Sequence, residues 1–184
     1  MAHEQIPDEL KKLVSRIPGI GKERHAEALL AHAKWNKQFI QKTVKNFSPS
    51  TDKDKKESCL IISAGPSVHK FDVINRIKGS AYKGTLIVAD GSYISCLKRG
   101  LYPDYVVTLD PHETRIVRWF GDPDFAKHKA KDDYFSRQDI DVELRDPNVQ
   151  KSLEDVVLVN QHAPKTKAVV CTSAPKNVVE RIVQ

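Results

Sequence analysis

The chain has 184 residues, 40% hydrophobic and 29% charged, which suits one globular α/β domain with a small addition but not two full domains. Its apolar runs, Cys59-Leu60-Ile61-Ile62 and Val156-Val157-Leu158-Val159, are strand-sized and far below the roughly 20 residues needed to cross a bilayer. Thirty basic against 24 acidic residues give a net charge of +6, and residues 1–57 hold 12 basic against 8 acidic, so the excess belongs mainly to the N-terminal third.

Such a charge attracts nucleic acid or anionic surfaces, but lysines on a solvated helix give the same sum, so nucleic acid is not the expected partner. The N-terminus, Met1 to Asp8, has neither the basic start nor the apolar stretch of a secretory signal, and a cytoplasmic protein is expected. Cys59, Cys96 and Cys171 form no CxxC pair and read as reduced core fillers rather than disulfides or a zinc site.

In chain order, Asp8 to Ile17 is helix-prone until Pro18-Gly19-Ile20-Gly21 interrupts it, and a second helix carries Ala26, Leu29, Leu30, Ala33, Ile40, Val44 and Phe47 at helical spacing before Ser48-Pro49. Ile17 to Gly21 followed by Lys22 to Ala26 is similar to a helix-hairpin-helix, which binds DNA backbone, although the expected alanine is displaced to Ala26 by His25. The charged stretch Ser50 to Glu57 reads as a linker. Residues 1–57 are therefore expected to be a helical appendage and linker, and residues 58–184 the folded domain.

That domain should begin with a strand at Cys59 to Ser63, a helix from Ser67 to Lys78, a strand at Thr85 to Ala89, a short helix from Tyr93 to Arg99 and a strand at Tyr105 to Leu109. Alternation at this spacing predicts a Rossmann-like, three-layer α/β fold with a mostly parallel sheet. About forty residues after Asp110 lose the rhythm. Further strands are expected at Asp155 to Val159 and Ala168 to Thr172, then a helix from Pro175 that meets the C-terminus uncapped, as a truncated chain would.

Ligands of open parallel sheets bind at the carboxyl ends of the strands. There the sequence places Gly65-Pro66-Ser67, Asp90-Gly91-Ser92, Asp110-Pro111-His112-Glu113, Asn160-Gln161-His162 and Ser173-Ala174-Pro175. Gly65-Pro66-Ser67 suits a phosphate, with Ser67 as helix cap, and equally suits a plain strand-to-helix turn. It matches neither GxGxxG nor GxxxxGK[ST]. Asp90 and Asp110 end successive strands and suit a Mg²⁺ shared with phosphate oxygens, or serve only as caps. His112 is a candidate proton donor or phosphate ligand, or merely a solvated loop residue.

Together, Ser63-Ala64-Gly65-Pro66-Ser67, Ile87-Val88-Ala89-Asp90-Gly91 and Lys98-Arg99-Gly100-Leu101-Tyr102-Pro103-Asp104-Tyr105-Val106-Val107-Thr108-Leu109-Asp110-Pro111 resemble the 6-hydroxymethylpterin diphosphokinase MptE-like domain, over roughly residues 58–113 with an echo at Thr172 to Pro175. The family also includes the bacterial motility accessory factor glycosyltransferases. The resemblance implies a nucleotide-phosphate-binding domain that transfers a pyrophosphoryl group from ATP with Mg²⁺ to a small acceptor, or else one that uses a nucleotide-activated nonulosonic sugar. The candidates read from the strand exits are then Gly65, Pro66, Ser67, Asp90, Gly91 and Ser173 for the nucleotide, Asp90 and Asp110 for the metal, and Asp110 and His112 for the chemistry. Where the diphosphokinases carry an Asp-x-Asp ending on the third strand, this chain has Thr108-Leu109-Asp110. One expected acid is thus replaced by Thr108, which leans toward sugar transfer.

Overall fold

Short β-rich runs punctuated by Gly, Pro and Asp become strands, and the intervening segments fold back as helices. The computed structural model describes residues 8–43, 58–109, 120–122, 124 and 145–184. Its elements are α1 (Asp8–Asn36), β1 (Cys59–Ile62), α2 (Pro66–Lys70), α3 (Val73–Gly79), β2 (Thr85–Ala89), α4 (Asp90–Lys98), β3 (Tyr105–Thr108), α5 (Arg145–His162), β4 (Lys167–Val170) and α6 (Lys176–Val183). The four strands form one parallel sheet in the order β1-β2-β3-β4, so the expected α/β Rossmann-like class holds. The order advances in one direction, and among the described strands there is no reversal of the kind that opens a dinucleotide crevice.

Register sets which side chains are buried. Ile62 pairs with Val88 and Val88 with Val106, so these three share a face and are at most 3% exposed. Ile74 of α3, Tyr93, Cys96 and Leu97 of α4, Val159 of α5 and Val178 of α6 join them in one core cluster. On the opposite face Ile61 is 72% exposed, while its neighbour Ile87 is half-buried.

Three local expectations are corrected. Asp155 to Val159 is helix rather than strand, inside α5. Val156 and Val159 are buried while Val157 is exposed, so the apolar run is read three residues apart, as a helix reads it, and not alternately. An ion pair between Lys98 and Asp155 ties α5 to α4. The helix after β1 is split into α2 and α3 at Asp72, whose φ of 48° is left-handed; its carboxylate accepts from Asn75 Nδ2, the local bonding that makes Asp tolerant of that conformation.

The third correction concerns the N-terminal region. Residues 18–21 form no hairpin: α1 is continuous through Pro18 and Gly19, which removes the basis of the helix-hairpin-helix reading. Pro18 cannot donate to the carbonyl one turn earlier, but that residue, Val14, is 57% exposed, where water replaces the missing donor. Helical geometry ends at Phe39, short of the expected Phe47, and residues 44–57 lie outside the described ones. The far end of α1 packs against α6.

Burial pushes the Cys96 thiol up from 9.0 to about 11, against an opposing pull from Arg99. Burial also raises Tyr93, partly offset by its hydroxyl's bond to Thr166 Oγ1 at 3.1 Å. An acid with a raised folded pKa releases its proton first from the unfolded chain. Its contribution to stability is therefore complete below about pH 9 and is lost as the pH rises through about 11. The urea midpoint should fall over that interval, and fall less in Cys96→Ala; a flat profile contradicts the burial. Iodoacetamide should label exposed Cys59 in the native protein and reach Cys96 only after unfolding.

Candidate functional site at the strand ends

Parallel pairing brings the carboxyl ends of β1 to β4 side by side, and three hydrogen bonds join consecutive exits. Ser92 Oγ donates to Ser63 O at 3.1 Å, linking the exits of β2 and β1. Thr108 Oγ1 donates to Asp90 Oδ2 at 2.6 Å, linking β3 to β2, and Cys171 N donates to Thr108 O at 3.0 Å, linking β4 to β3.

Asp90 is the first residue of α4, and its other oxygen, Oδ1, accepts the Gly91 N–H at 2.6 Å. Gly91 thus contributes its N–H to Asp90, inside the first turn of a helix whose cap residue is Ala89. Each carboxylate oxygen carries two lone pairs, so one on each remains for a cation or ligand donor. Mg²⁺ commonly takes one or two protein carboxylates and lets substrate phosphates and water complete its shell. Asp90 supplies such a hard donor. Among the described residues no group of three or more His, Cys, Asp or Glu side chains is placed to hold a metal alone.

At the β1 exit Gly65 is the residue before α2, with Pro66 first in the helix and no side-chain cap. Ser67 lies inside the helix and is not its cap, which corrects that expectation. The Pro66 nitrogen has no hydrogen and Val68 N–H donates to Gly65 O at 3.2 Å, so the turn offers the Ser67 N–H and hydroxyl to a ligand. Gly65 has an extended φ of 179°, and a Cβ there would meet only Ser67 Oγ, at 3.9 Å.

At the β4 exit Ser173 Oγ is 3.1 Å from Cys171 Sγ. The turn itself is held by α1: Asn36 Nδ2 donates to Thr172 O at 2.7 Å and to Ala174 O at 2.8 Å, and His32 Nδ1 is 3.3 Å from Ser173 O. Asn36 is 3% exposed. Beside it, Lys176 Nζ sits 4.9 Å from the centroid of Trp35.

The structure thus gathers Asp90 and Gly91 next to the Gly65-Pro66-Ser67 exit and sets Ser173 in the turn after β4, at the other end of the sheet. Asp110 and His112 lie outside the described residues. Asn160-Gln161-His162 is not a strand exit: it ends α5, where His162 stacks on Tyr102 at 4.6 Å. Asp104, the residue before β3, accepts Leu86 N–H at 2.8 Å at the amino end of the sheet. Sequence reasoning missed Ser63, Ser92, His32 and Asn36 as members of the strand-end framework. Ser63 and Ser92 had a visible signal, their places in the first and second strand exits; His32 and Asn36 had none.

A family model for 6-hydroxymethylpterin diphosphokinase MptE-like proteins matches residues 27–127, more than half of the chain. The chain belongs to this family. The match begins within α1, ahead of His32 and Asn36, and runs past β3. No curated protein and no solved structure matches the chain. In this MptE-like chain no helix among the described residues is long and apolar enough to cross a membrane.

Proposed function

We propose that this MptE-like chain binds the phosphates of a nucleotide at the carboxyl ends of β1, β2 and β3 and transfers a pyrophosphoryl group from ATP to the hydroxyl of a pterin-like acceptor. The acceptor oxygen would bond to the β-phosphorus, the bond from that phosphorus to the bridging α,β-oxygen would break, AMP would leave, and the hydroxyl proton would pass to a base. Asp90 and Asp110 would hold Mg²⁺, which supplies charge neutralisation on the triphosphate. Gly65, Pro66 and Ser67 would meet phosphate, with Gly91 and Ser173 bordering it, and His112 would serve proton transfer. The observation that carries this reading is the anchored Asp90 carboxylate between two joined strand exits. Family membership supports it.

A second reading, transfer of a sugar from a nucleotide donor, is favoured by one observation. The position beside Asp90 is Thr108, 1% exposed, a neutral group that lowers the negative charge available for cations. Incubation with 6-hydroxymethyl-dihydropterin and MgATP should release AMP; turnover of a CMP-sugar with no AMP would reverse the order. Calorimetry offers a test of the shared site. Gly65→Val should weaken nucleotide binding about tenfold, roughly 1.4 kcal/mol, with an unchanged melting temperature, because backbone and space at Gly65 accept a side chain. Equal binding by the variant removes the phosphate from this turn.

A further inference from the structure

The Asp90 carboxylate sits at the end of a short side chain whose χ1 has three staggered wells and whose χ2 is broad, so a carboxylate that must meet a cation or phosphate needs something to hold both torsions. Thr108 is built for that. It is 1% exposed, and its β-branched side chain has a stiff χ1. Its backbone is fixed on both sides: the pairs Ala89↔Val107 and Thr108↔Val170 set it between β2 and β4, and its carbonyl accepts Cys171 N–H at 3.0 Å. From this fixed base Oγ1 donates to Asp90 Oδ2 at 2.6 Å, while Gly91 N–H occupies the other oxygen. Two donors on two oxygens define the plane of the carboxylate, and the free lone pairs follow from that plane.

We infer that Thr108 is a positioning residue: a buried hydroxyl that holds Asp90 in one orientation for the strand-end ligand. The inference rests on the proposed nucleotide reading for its consequence in binding, but the orientation of Asp90 is a property of the free protein. A hydroxyl also differs in kind from an acid at this place. It neutralises no cation and contributes a donor to the carboxylate, so of the bonded pair Thr108 and Asp90 only Asp90 carries charge, and it is oriented.

Two variants separate hydroxyl from volume. Thr108→Ser keeps the donor and loses a methyl group, whereas Thr108→Val keeps the shape and loses the donor. The first measurement is by NMR on the free full-length protein, using the three-bond couplings across the Asp90 Cα–Cβ bond. One rotamer is expected in the wild type and in Thr108→Ser, and rotamer averaging in Thr108→Val. A single unchanged rotamer in Thr108→Val overturns the inference whether or not any nucleotide binds. The second measurement is calorimetric, with ATP in the presence and absence of Mg²⁺. Thr108→Val should weaken only the Mg²⁺-dependent part, by about tenfold, with recovery in Thr108→Ser. Equal weakening with and without Mg²⁺, or the same loss in both variants, would mark Thr108 as a packing residue and overturn its positioning role. A wild type that binds no nucleotide overturns the proposed function instead, and the couplings then decide Thr108 alone.

Discussion

Asp90→Asn is expected to abolish most Mg²⁺-dependent nucleotide binding, by about a hundredfold or more, while leaving the fold intact. The change removes one charge and one hard donor but almost no volume. An asparagine oxygen still accepts the Gly91 N–H, as Asp90 Oδ1 does, so the start of α4 keeps this local bond. The Thr108 hydroxyl, which now donates to Oδ2 at 2.6 Å, would instead accept from the asparagine Nδ2, so the link between the two strand exits is kept with its direction reversed. Loss of mere outer partners of metal ligands costs about 10- to 100-fold in affinity, so loss of a ligand itself should exceed that range. Titration with MgATP, with ATP in EDTA as reference, reads the effect; the EDTA arm should change far less. If the variant binds MgATP as tightly as the wild type, Asp90 only bonds the first turn of α4 and the metal reading fails.

Much of this arrangement was legible in sequence because short apolar runs ended by Gly, Pro or Asp have few readings. β1, β2 and β3 were anticipated to within a residue, and the adjacency of Asp90 to the third strand's end follows once the strands are neighbours. Three features resisted, each for a physical reason. Val156 to Val159 has strand-like composition, and only tertiary packing, which buries Val156 and Val159 and exposes Val157, makes it a helix. Pro18 and Gly19 are poor helix residues, yet a long exposed helix absorbs their cost. The Thr108–Asp90 bond depends on register, since each residue alone reads as an ordinary strand end. Asp110 and His112, which carry the chemistry in the proposed function, lie outside the described residues and depend on experiment.

The contact that sequence spacing hides most completely is the one between α1 and the β4 exit, where the bonded residues are separated by 136 and 138 positions. Asn36→Ala should lower stability by about 2–4 kcal/mol. The amide of Asn36 donates to two carbonyls and is nearly sequestered from water, with 3% exposure; the buried Ala174 carbonyl left without a donor costs about 1–3 kcal/mol, and the part-buried Thr172 carbonyl adds a smaller loss. Some of this is returned, because Asn36 Oδ1 has no hydrogen-bond partner of its own and its removal relieves that cost. For a chain of this length such a loss lowers the melting temperature by about 5–10 °C. Asn36→Asp, close in shape but with no donor, should be at least as damaging, since a carboxylate would then face the carbonyls of Thr172 and Ala174. The consequence reaches beyond stability: Ser173, one of the residues assigned to the ligand, lies between those two carbonyls, so slackening the turn should also broaden its amide resonance while leaving Gly65 and Gly91 unmoved. A helical appendage independent of the residues after 57 predicts neither effect. A melting temperature within about 1 °C of wild type, with the Ser173 resonance unchanged, would show that α1 contributes nothing to holding the β4 exit.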